Sequence, residues 1–334
     1  MRAWVVRQNG PPQTMRLEEV AEPPPRPELV QIAVAAAGIN FFDSLMVAGS
    51  YQVRPELPFI PGNEVAGVVV AAPPGSGFEA GQRVLAQVTQ SGLSGGGYTE
   101  LTSARPEAVV PLPAAMPFDE AAAFFINYQT GWFGLHRRAG LRPGETLLVH
   151  AGAGGVGSAA IQLGKSAGAR VIATAGSAAK LEVCRRLGAD LSINYQEQDF
   201  VELVKAATDG RGADVIYDPV GGEVLLASTR CLAFEGRLIC VGFTSGDIVQ
   251  LKANHLLVKN YSVMGLHWGL YSRHRPELVR ECTAQLLRLY EAGRLKPYVS
   301  RRVPLEGAAT ALQAVVSRQT TGKVVLDLEG GAES

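Results

Sequence analysis

The sequence predicts an α/β protein that combines a doubly wound parallel sheet with a β-rich domain. Three observations support this fold class. The length of 334 residues suggests two domains. Up to about residue 110, short apolar runs alternate with turns rich in proline and glycine. From Glu145 onward, strand-like and helix-like segments alternate, which is typical of βαβ units and of a parallel sheet covered by helices on both faces.

The predicted elements follow this pattern in order. A helix is expected to begin at Phe118, because Asp119 and Glu120 then stand in a first turn where the helix dipole favours acidic side chains. Before that point, strands are expected at residues 3–6, 29–38, 65–70 and 83–88. Beyond it, the prediction is strand 146–150, helix 158–167, strand 170–174, helix 178–187, strand 192–195, helix 200–207, strands 214–218, 236–242 and 262–266, helix 276–292, and strands 300–304 and 323–328.

Composition narrows the class of protein. Hydrophobic residues make up 47% of the chain and charged residues 19%, which is too apolar for a disordered chain. Lysine plus arginine and aspartate plus glutamate are both 31, so the net charge is zero and disfavours nucleic-acid or anionic-membrane binding. The four cysteines are far apart, which predicts neither a disulfide framework nor a thiolate metal site. The N-terminus becomes polar too early for a signal peptide, and a cytoplasmic protein is expected.

A glycine motif predicts a dinucleotide site. Residues 151–157 read A-G-A-G-G-V-G, follow a predicted strand and open a predicted helix, which is the context that the G-x-G-x-x-G motif requires. Gly152 permits the tight turn, Gly154 lets the backbone approach a pyrophosphate, and Gly157 allows close packing of helix and strand. The alternative is a flexible loop in a structural α/β protein. The cofactor-binding residues predicted here are Gly152, Ala153, Gly154, Gly155, Val156 and Gly157.

The end of the second strand of this block favours NADPH over NADH. Folds that bind NAD usually carry an acidic residue there, which bonds the ribose 2′-hydroxyl. This chain reads A-T-A-G-S at residues 173–177 and has no acid before Glu182. Ser177 and Lys180 could instead supply a hydrogen bond and a charge to a 2′-phosphate. The alternative for Lys180 is a solvated lysine in the first turn of a helix.

With these motifs the chain resembles the medium-chain dehydrogenases/reductases, and within them the zinc-free, zeta-crystallin-like NADPH:quinone oxidoreductases. The resemblance runs nearly from end to end. It rests on G-I-N-F-F-D (38–43), L-P-F-I-P-G-N-E-V-A-G (57–67), G-G-G-Y (95–98), Y-Q-T-G (128–131), the glycine motif, D-P-V-G-G (218–222), V-G-F (241–243) and T-G-K-V-V (321–325).

The resemblance implies a domain plan and further site residues. It implies a GroES-like catalytic domain formed by residues 1–120 and 261–334, with a Rossmann NADPH-binding domain at 121–260 between them. Asn40 and Thr130 are then expected near the nicotinamide, and Tyr195 near the adenosine phosphate. The other residues expected to contact the cofactor are Val241, Gly242, Phe243 and Lys323. A homodimer is expected through the edge of the cofactor-domain sheet, at residues 262–266.

The zinc ligands of the related alcohol dehydrogenases are replaced in this chain. Where those relatives have cysteine, histidine and cysteine, this chain has Asn40, Asn63 and Ile126. An amide is a poor zinc ligand and isoleucine is none, while Glu64 alone does not make a site. The segment 87–98 also lacks the cysteines of a structural zinc loop. No metal is expected.

Hydride transfer from NADPH to a quinone is the predicted function, because without a metal the acceptor must take up hydride readily by itself. The alternative is reduction of an enone or enoyl thioester, since residues 40–64 also resemble the 2-enoyl thioester reductases. In those enzymes the tyrosine at the position of Tyr51 donates a proton, so Asn40 and Tyr51 are the candidate catalytic residues. Tyr51 could equally be a pocket wall or a loop anchor. A non-catalytic NADPH- or RNA-binding protein is the third hypothesis, which the zero net charge disfavours.

Overall fold

The apolar runs of the sequence form the strands, and most of the helices connect one strand to the next. A computed structural model describes residues 1–88 and 92–329. The strands are β1 (Arg2–Val5), β2 (Arg16–Glu19), β3 (Val30–Ile39), β4 (Glu64–Ala71), β5 (Arg83–Gln87), β6 (Leu101–Ala104), β7 (Val109–Pro111), β8 (Thr146–Val149), β9 (Arg170–Ala175), β10 (Leu191–Asn194), β11 (Ala213–Asp218), β12 (Leu232–Cys240), β13 (Ser262–Gly265), β14 (Val299–Val303) and β15 (Lys323–Asp327).

The helices cluster in the middle of the chain. Those of the described residues are α1 (Phe41–Val47), α2 (Phe118–Ala122), α3 (Phe125–Trp132), α4 (Gly155–Ser166), α5 (Ala178–Arg186), α6 (Phe200–Ala207), α7 (Gly222–Arg230), α8 (Ala253–Lys259), α9 (Gly269–His274), α10 (Pro276–Glu291) and α11 (Ala308–Val316). Within the described part of the chain, no helix combines the length and the apolar character needed to cross a membrane.

The chain forms two units, which we call the terminal unit and the central unit. The terminal unit comprises Met1–Ile126 and the chain from Pro297 onward. Its main sheet has the order β14-β15-β3-β4-β5-β7, and β6 also pairs with β3. The long strand β3 is almost entirely buried and pairs antiparallel with β15, so that Val324 stands opposite Ile39. The two ends of the chain therefore lie in one unit.

The central unit comprises Asn127–Lys296 and contains a parallel sheet in the order β10-β9-β8-β11-β12-β13. Numbered within the unit, this order is 3-2-1-4-5-6, which is the strand order of the Rossmann fold. The predicted doubly wound parallel sheet is thus confirmed. The order reverses between β8 and β11, and in such sheets ligands bind outside the carboxyl ends of the strands at this reversal.

The boundaries of the units differ from the predicted positions 120 and 260. The chain leaves the terminal unit after Ile126 and returns to it at Pro297. The predicted bounds put the strand at 262–266 in the catalytic segment, whereas the predicted dimer contact put it at the edge of the cofactor-domain sheet. In the structure, β13 pairs parallel with β12 and forms that edge. Helix α10 also belongs to the central unit, where Thr283 accepts a hydrogen bond from Gln129 at 2.9 Å. Residues 330–334 of the predicted third segment lie outside the described residues.

Candidate functional site

The glycine motif forms the turn between β8 and α4 in the central unit. Gly152 donates its N–H to the carbonyl of Thr174 at 2.9 Å, which ties the turn to the end of β9. Gly154 is extended and caps α4, which begins at Gly155. The N-terminus of a helix of twelve residues offers N–H groups and a partial positive charge to an anion. The turn therefore has the form of a phosphate-binding loop.

The three glycines of the motif differ in what surrounds them. A Cβ atom on Gly157 would overlap the carbonyl oxygen of Ala151, and one on Gly152 would lie 2.9 Å from the Cβ of Ala173. These two glycines are required by the packing of the protein itself. A Cβ on Gly154 would meet only the Ala151 oxygen, at 3.2 Å. The packing of the protein therefore does not require a glycine at 154 as strictly as at 152 and 157. The absence of a side chain at Gly154 fits the close approach of a pyrophosphate to the backbone.

His150 joins this loop to its neighbours. Its Nδ1 lies 3.0 Å from the Thr174 hydroxyl, and its Nε2 lies 2.8 Å from the Ser228 hydroxyl. Because Ser228 donates its own proton to the carbonyl of Val224, it accepts from Nε2–H, and Nδ1 accepts from Thr174. Burial lowers the pKa of His150 to about 3, so the ring is neutral at pH 7. His150 therefore has a structural role, because it connects the strand that precedes the loop to Thr174 and Ser228.

Ser177 and Tyr195 meet at the carboxyl ends of β9 and β10. Ser177 caps α5 by accepting the N–H of Lys180 at 3.4 Å. A Cβ on the neighbouring Gly176 would lie 2.7 Å from the Tyr195 hydroxyl, so the phenol lies directly over this turn. Tyr195 is nevertheless 43% exposed. The structure thus brings Ser177, Lys180 and Tyr195 to one edge of the central sheet.

The segment 241–243 packs against the loop that follows β11. Val241 donates its N–H to the carbonyl of Asp218 at 2.8 Å. A Cβ on Gly221 would lie 2.6 Å from a ring carbon of Phe243. The Asp218 carboxylate accepts the N–H of Val220 at 2.7 Å, while burial raises its pKa to about 6. The predicted residues Val241, Gly242 and Phe243 therefore stand beside the carboxyl end of β11, and the predicted Thr130 is buried in α3.

A buried polar network lies in the terminal unit around Asn40. The Oδ1 atom of Asn40 accepts a hydrogen bond from the Lys323 ammonium at 2.6 Å, and its Nδ2 donates to Glu64 Oε1 at 2.9 Å. Lys323 also binds Glu64 Oε1 directly, and Glu64 Oε2 accepts the N–H of Ile126 at 2.9 Å. Glu64 is 0% exposed and Lys323 3% exposed. The lysine predicted to contact a cofactor therefore has its ammonium turned into this network.

Asp43 extends the network to the loop that precedes β4. Its carboxylate accepts the backbone N–H of Asn40 at 2.8 Å, the Asn63 amide at 2.8 Å and the Tyr98 hydroxyl at 2.9 Å. Burial raises the pKa of Asp43 to about 6, although these donors oppose the shift. No role for Asp43 or Tyr98 follows from the sequence patterns, and Glu64 alone is not predicted to form a site. The available signal was a set of charged residues, Asp43, Glu64 and Lys323, within apolar segments, because buried charges are almost always paired.

The residues at the positions of the zinc ligands do not suit a metal. Asn40 and Ile126 both bind Glu64, and the Lys323 ammonium already occupies the side of the carboxylate that a cation would take. In residues 1–88 and 92–329, no three His, Cys, Asp or Glu side chains form a group that could hold a metal ion. The polar atoms around Asn40 are therefore arranged to contact an ammonium group and amide groups rather than a zinc ion.

Tyr51 is half-buried and follows helix α1 in the terminal unit. Its ring stacks on that of Phe42, with the ring centroids 5.4 Å apart. Burial and the charge of Asp43 raise the pKa of the phenol. Tyr51 is therefore protonated at pH 7, which a proton donor requires.

Two family profiles match the chain. The one described as "Alcohol dehydrogenase GroES-like domain" covers residues 26–114, and the one described as "Zinc-binding dehydrogenase" covers residues 155–285. The first confirms that the β-rich part is GroES-like. The second lies within the central unit, whose sheet has the Rossmann strand order.

Similar proteins and structures extend these matches to most of the chain. The quinone oxidoreductase-like protein 2 homolog of Nematostella vectensis is 42% identical over 303 residues, which cover 89% of this chain and 81% of that protein. The crystal structure of Escherichia coli quinone oxidoreductase in complex with NADPH has a TM-score of 0.90 at 32% identity and covers 98% of this chain and 100% of its own. The structure of the CurK enoyl reductase has a TM-score of 0.85 at 26% identity, with 98% and 99% covered.

Proposed function

Because this chain belongs to the quinone oxidoreductase-like family of the medium-chain dehydrogenases/reductases, we propose that it transfers hydride from NADPH to a quinone. The observation that carries the choice of acceptor is the set of polar groups around Asn40. Where a zinc enzyme has metal ligands, this chain has the Asn40 amide and the Lys323 ammonium, both bound to the Glu64 carboxylate. A quinone accepts hydride without a strong Lewis acid, whereas an ordinary ketone needs its carbonyl polarised.

The central unit supports NADPH as the cofactor. When bound, NADPH supplies the hydride. The motif residues 152–157 would hold its pyrophosphate, and Ser177, Lys180 and Tyr195 would surround the 2′-phosphate. An acidic side chain at this edge would repel that phosphate, and the segment 173–177 has none. Asn40, Thr130 and the segment 241–243 would orient the nicotinamide.

The terminal unit supports a planar, apolar acceptor. Phe41 and Phe42 are half-buried at the start of α1, and Tyr51 stacks on Phe42. An accessible aromatic surface of this kind suits a quinone ring, because flat apolar rings gain from stacking and from removal from water. The contribution of the protein would be to orient the acceptor, to exclude water and to donate hydrogen bonds to the reduced oxygen.

The proposed function is tested by following NADPH consumption near 340 nm with a panel of acceptors. The panel contains 1,4-benzoquinone, phenanthrenequinone, an enone and a crotonyl thioester. We expect oxidation that depends on both enzyme and quinone, at a higher kcat/KM than with the other acceptors. Absence of quinone-dependent oxidation would contradict the proposal.

Reduction of an activated alkene is the second candidate function. It is favoured by Tyr51, whose protonated phenol stands half-buried beside Phe42. It is also supported by the similarity to a structure described as an enoyl reductase. Hydride addition to an enoyl thioester leaves a carbanion at the α-carbon, and a phenol can protonate that carbon.

The substitution Tyr51→Phe separates the two functions. If Tyr51 is the proton donor, the variant loses alkene reduction by a factor of about 10² or more while quinone reduction is retained, since general acid catalysis contributes about 10²–10⁴-fold. Steady-state kinetics with both acceptors and an NADPH titration provide the measurement. Tyr261→Phe is the matched control, because it removes a buried hydroxyl of the central unit for which residues 1–88 and 92–329 provide no hydrogen-bond partner. Unchanged alkene turnover in Tyr51→Phe would exclude Tyr51 as the acid.

The assembly is proposed to be a homodimer formed along β13. This strand is the edge of the central sheet, so one side of its backbone is left for pairing. The preceding helix α8 carries Leu257 and Val258, which are both 77% exposed. A second copy of the chain would complete the sheet and cover this apolar surface.

A further inference from the structure

The Asn40 amide is held at its two ends by partners of opposite charge. Its oxygen accepts from the Lys323 ammonium at 2.6 Å, and its nitrogen donates to the Glu64 carboxylate at 2.9 Å. An ammonium can only donate and an ionised carboxylate can only accept. These two partners therefore permit a single orientation of the amide, with Oδ1 toward Lys323 and Nδ2 toward Glu64.

We infer that Lys323 and Glu64 are positioning residues, which fix the Asn40 amide in the orientation that hydride transfer requires. The inference rests on the proposed function, in which Asn40 orients the nicotinamide. Lys323 and Glu64 are 3% and 0% exposed, so their polar atoms act on a bound molecule through the residue that they hold. Asn40 itself is 6% exposed and stands at the N-terminus of α1.

The cost of burying this ion pair supports a role in geometry. Removing two charges from water often costs more than their attraction returns, so a buried pair is a weak source of stability. Here the pair spans 259 residues of sequence and has the Asn40 amide between its members. The second oxygen of Glu64 is held by Ile126 N–H, so the carboxylate cannot turn away. Glu64 is thus held by a backbone N–H as well as by Lys323, and both residues of the pair contact the Asn40 amide.

The substitution Asn40→Asp tests the orientation because it keeps the shape and adds a titratable group. A protonated carboxyl donates O–H to Glu64 and accepts from Lys323, as the amide does. Once ionised, it faces Glu64 with Asp43 nearby, and the single Lys323 ammonium cannot neutralise all three carboxylates. Burial and the excess negative charge raise its pKa. We expect the kcat of the variant, taken relative to wild type at the same pH, to fall by about tenfold or more between pH 5.5 and pH 8.

A second readout of this variant does not depend on activity. The difference in Tm between Asn40→Asp and wild type is expected to grow as the pH rises from about 5.5 to 8, because a carboxyl whose pKa is raised by folding destabilises the folded state progressively above its unfolded-state pKa of about 3.9. Asn260→Asp is the matched control, since Asn260 is exposed and lies outside the network. A loss of kcat and Tm that is the same at every pH would overturn the inference.

The substitution Lys323→Met tests whether the lysine positions Asn40 or binds the cofactor. We expect kcat to fall at least tenfold while the Kd for NADPH, measured by fluorescence titration, stays within about twofold of wild type. A tenfold rise in Kd with unchanged kcat would show a cofactor-binding lysine and overturn the inference. Lys165→Met, which removes an exposed pair with Asp190, is the matched control. If Lys323→Met does not fold, the Asn40→Asp profiles decide.

Failure of the inference is distinguishable from failure of the proposed function. If none of the tested acceptors supports NADPH oxidation by the wild-type protein, the proposed function is contradicted. The pH dependence of the Tm of Asn40→Asp still tests the orientation of the amide in that case. An active wild type with pH-independent effects in Asn40→Asp contradicts the positioning role alone.

Discussion

The three motif glycines have different reasons for lacking a side chain, and this difference can be measured. Gly157→Ala would place a methyl group on the Ala151 oxygen, and overpacking of this kind costs about 1–3 kcal/mol. Gly154→Ala would meet that oxygen at 3.2 Å only, so a smaller loss of stability is expected. Its methyl group would instead stand where the backbone approaches the pyrophosphate.

We therefore expect Gly154→Ala to weaken NADPH binding by about tenfold or more with a small change in Tm, since about 1.4 kcal/mol corresponds to a factor of ten. Gly157→Ala is expected to lower Tm clearly. Thermal unfolding and fluorescence titration with NADPH provide the two measurements. Gly307→Ala controls for the general effect of adding a methyl group, because Gly307 also has a negative φ and a Cβ there would meet Val303 and Pro304 only at 3.4 Å or more. Wild-type affinity in Gly154→Ala would contradict the assignment.

Individual residues also show the limit of sequence reasoning. Asn40 was predicted near the nicotinamide and Lys323 as a separate cofactor contact, but the two side chains bind each other across 283 residues of sequence. Their contact follows from the pairing of β3 with β15, which sets Val324 opposite Ile39. Such a register is fixed by long-range packing, and no local pattern encodes it. The glycine motif, in contrast, is local and could be placed from its spacing.

At the scale of elements, β13 shows the same contrast between a local pattern, which predicts the strand, and long-range pairing, which decides its sheet. The sequence predicts a strand at 262–266, and the structure has one at Ser262–Gly265. Its place at the edge of the cofactor-domain sheet was expected from the family resemblance and not from the strand itself, because a short apolar strand carries no signal for its partner. The pairing with β12 leaves β13 at the edge of the central sheet.

The proposed dimer can be tested on this strand. Ser262 and Met264 share a face of the sheet, since side chains alternate along a strand. The double substitution Ser262→Lys and Met264→Lys would put like charges opposite each other when two copies pair, which is destabilising. We expect light scattering to give the mass of two chains for wild type and of one chain for the variant, with circular dichroism unchanged. A wild-type monomer, or a variant that stays dimeric, would contradict the proposed interface.

At the scale of the whole molecule, the fold class could be predicted because the alternation of strands and helices is periodic and continuous from β8 to β12. A domain formed by both ends of the chain was expected from the resemblance with bounds at 120 and 260, whereas the terminal unit ends at Ile126 and resumes at Pro297. Position 126 falls within α3, and α9 and α10 follow β13 without a change in composition that marks a domain. Boundaries that cut through a helix leave no signal in composition or turns.

The central claim is that this chain uses NADPH as the hydride donor for a quinone. Its most direct test is the ratio of kcat/KM for NADPH to that for NADH, measured on the wild-type protein with 1,4-benzoquinone. We expect a ratio of about ten or more, because Ser177 and Lys180 can bind the 2′-phosphate of NADPH. In addition, the segment 173–177 has no acidic residue that would repel this phosphate and so favour NADH. A ratio near one or below it, or no quinone-dependent oxidation of either cofactor, would contradict the claim.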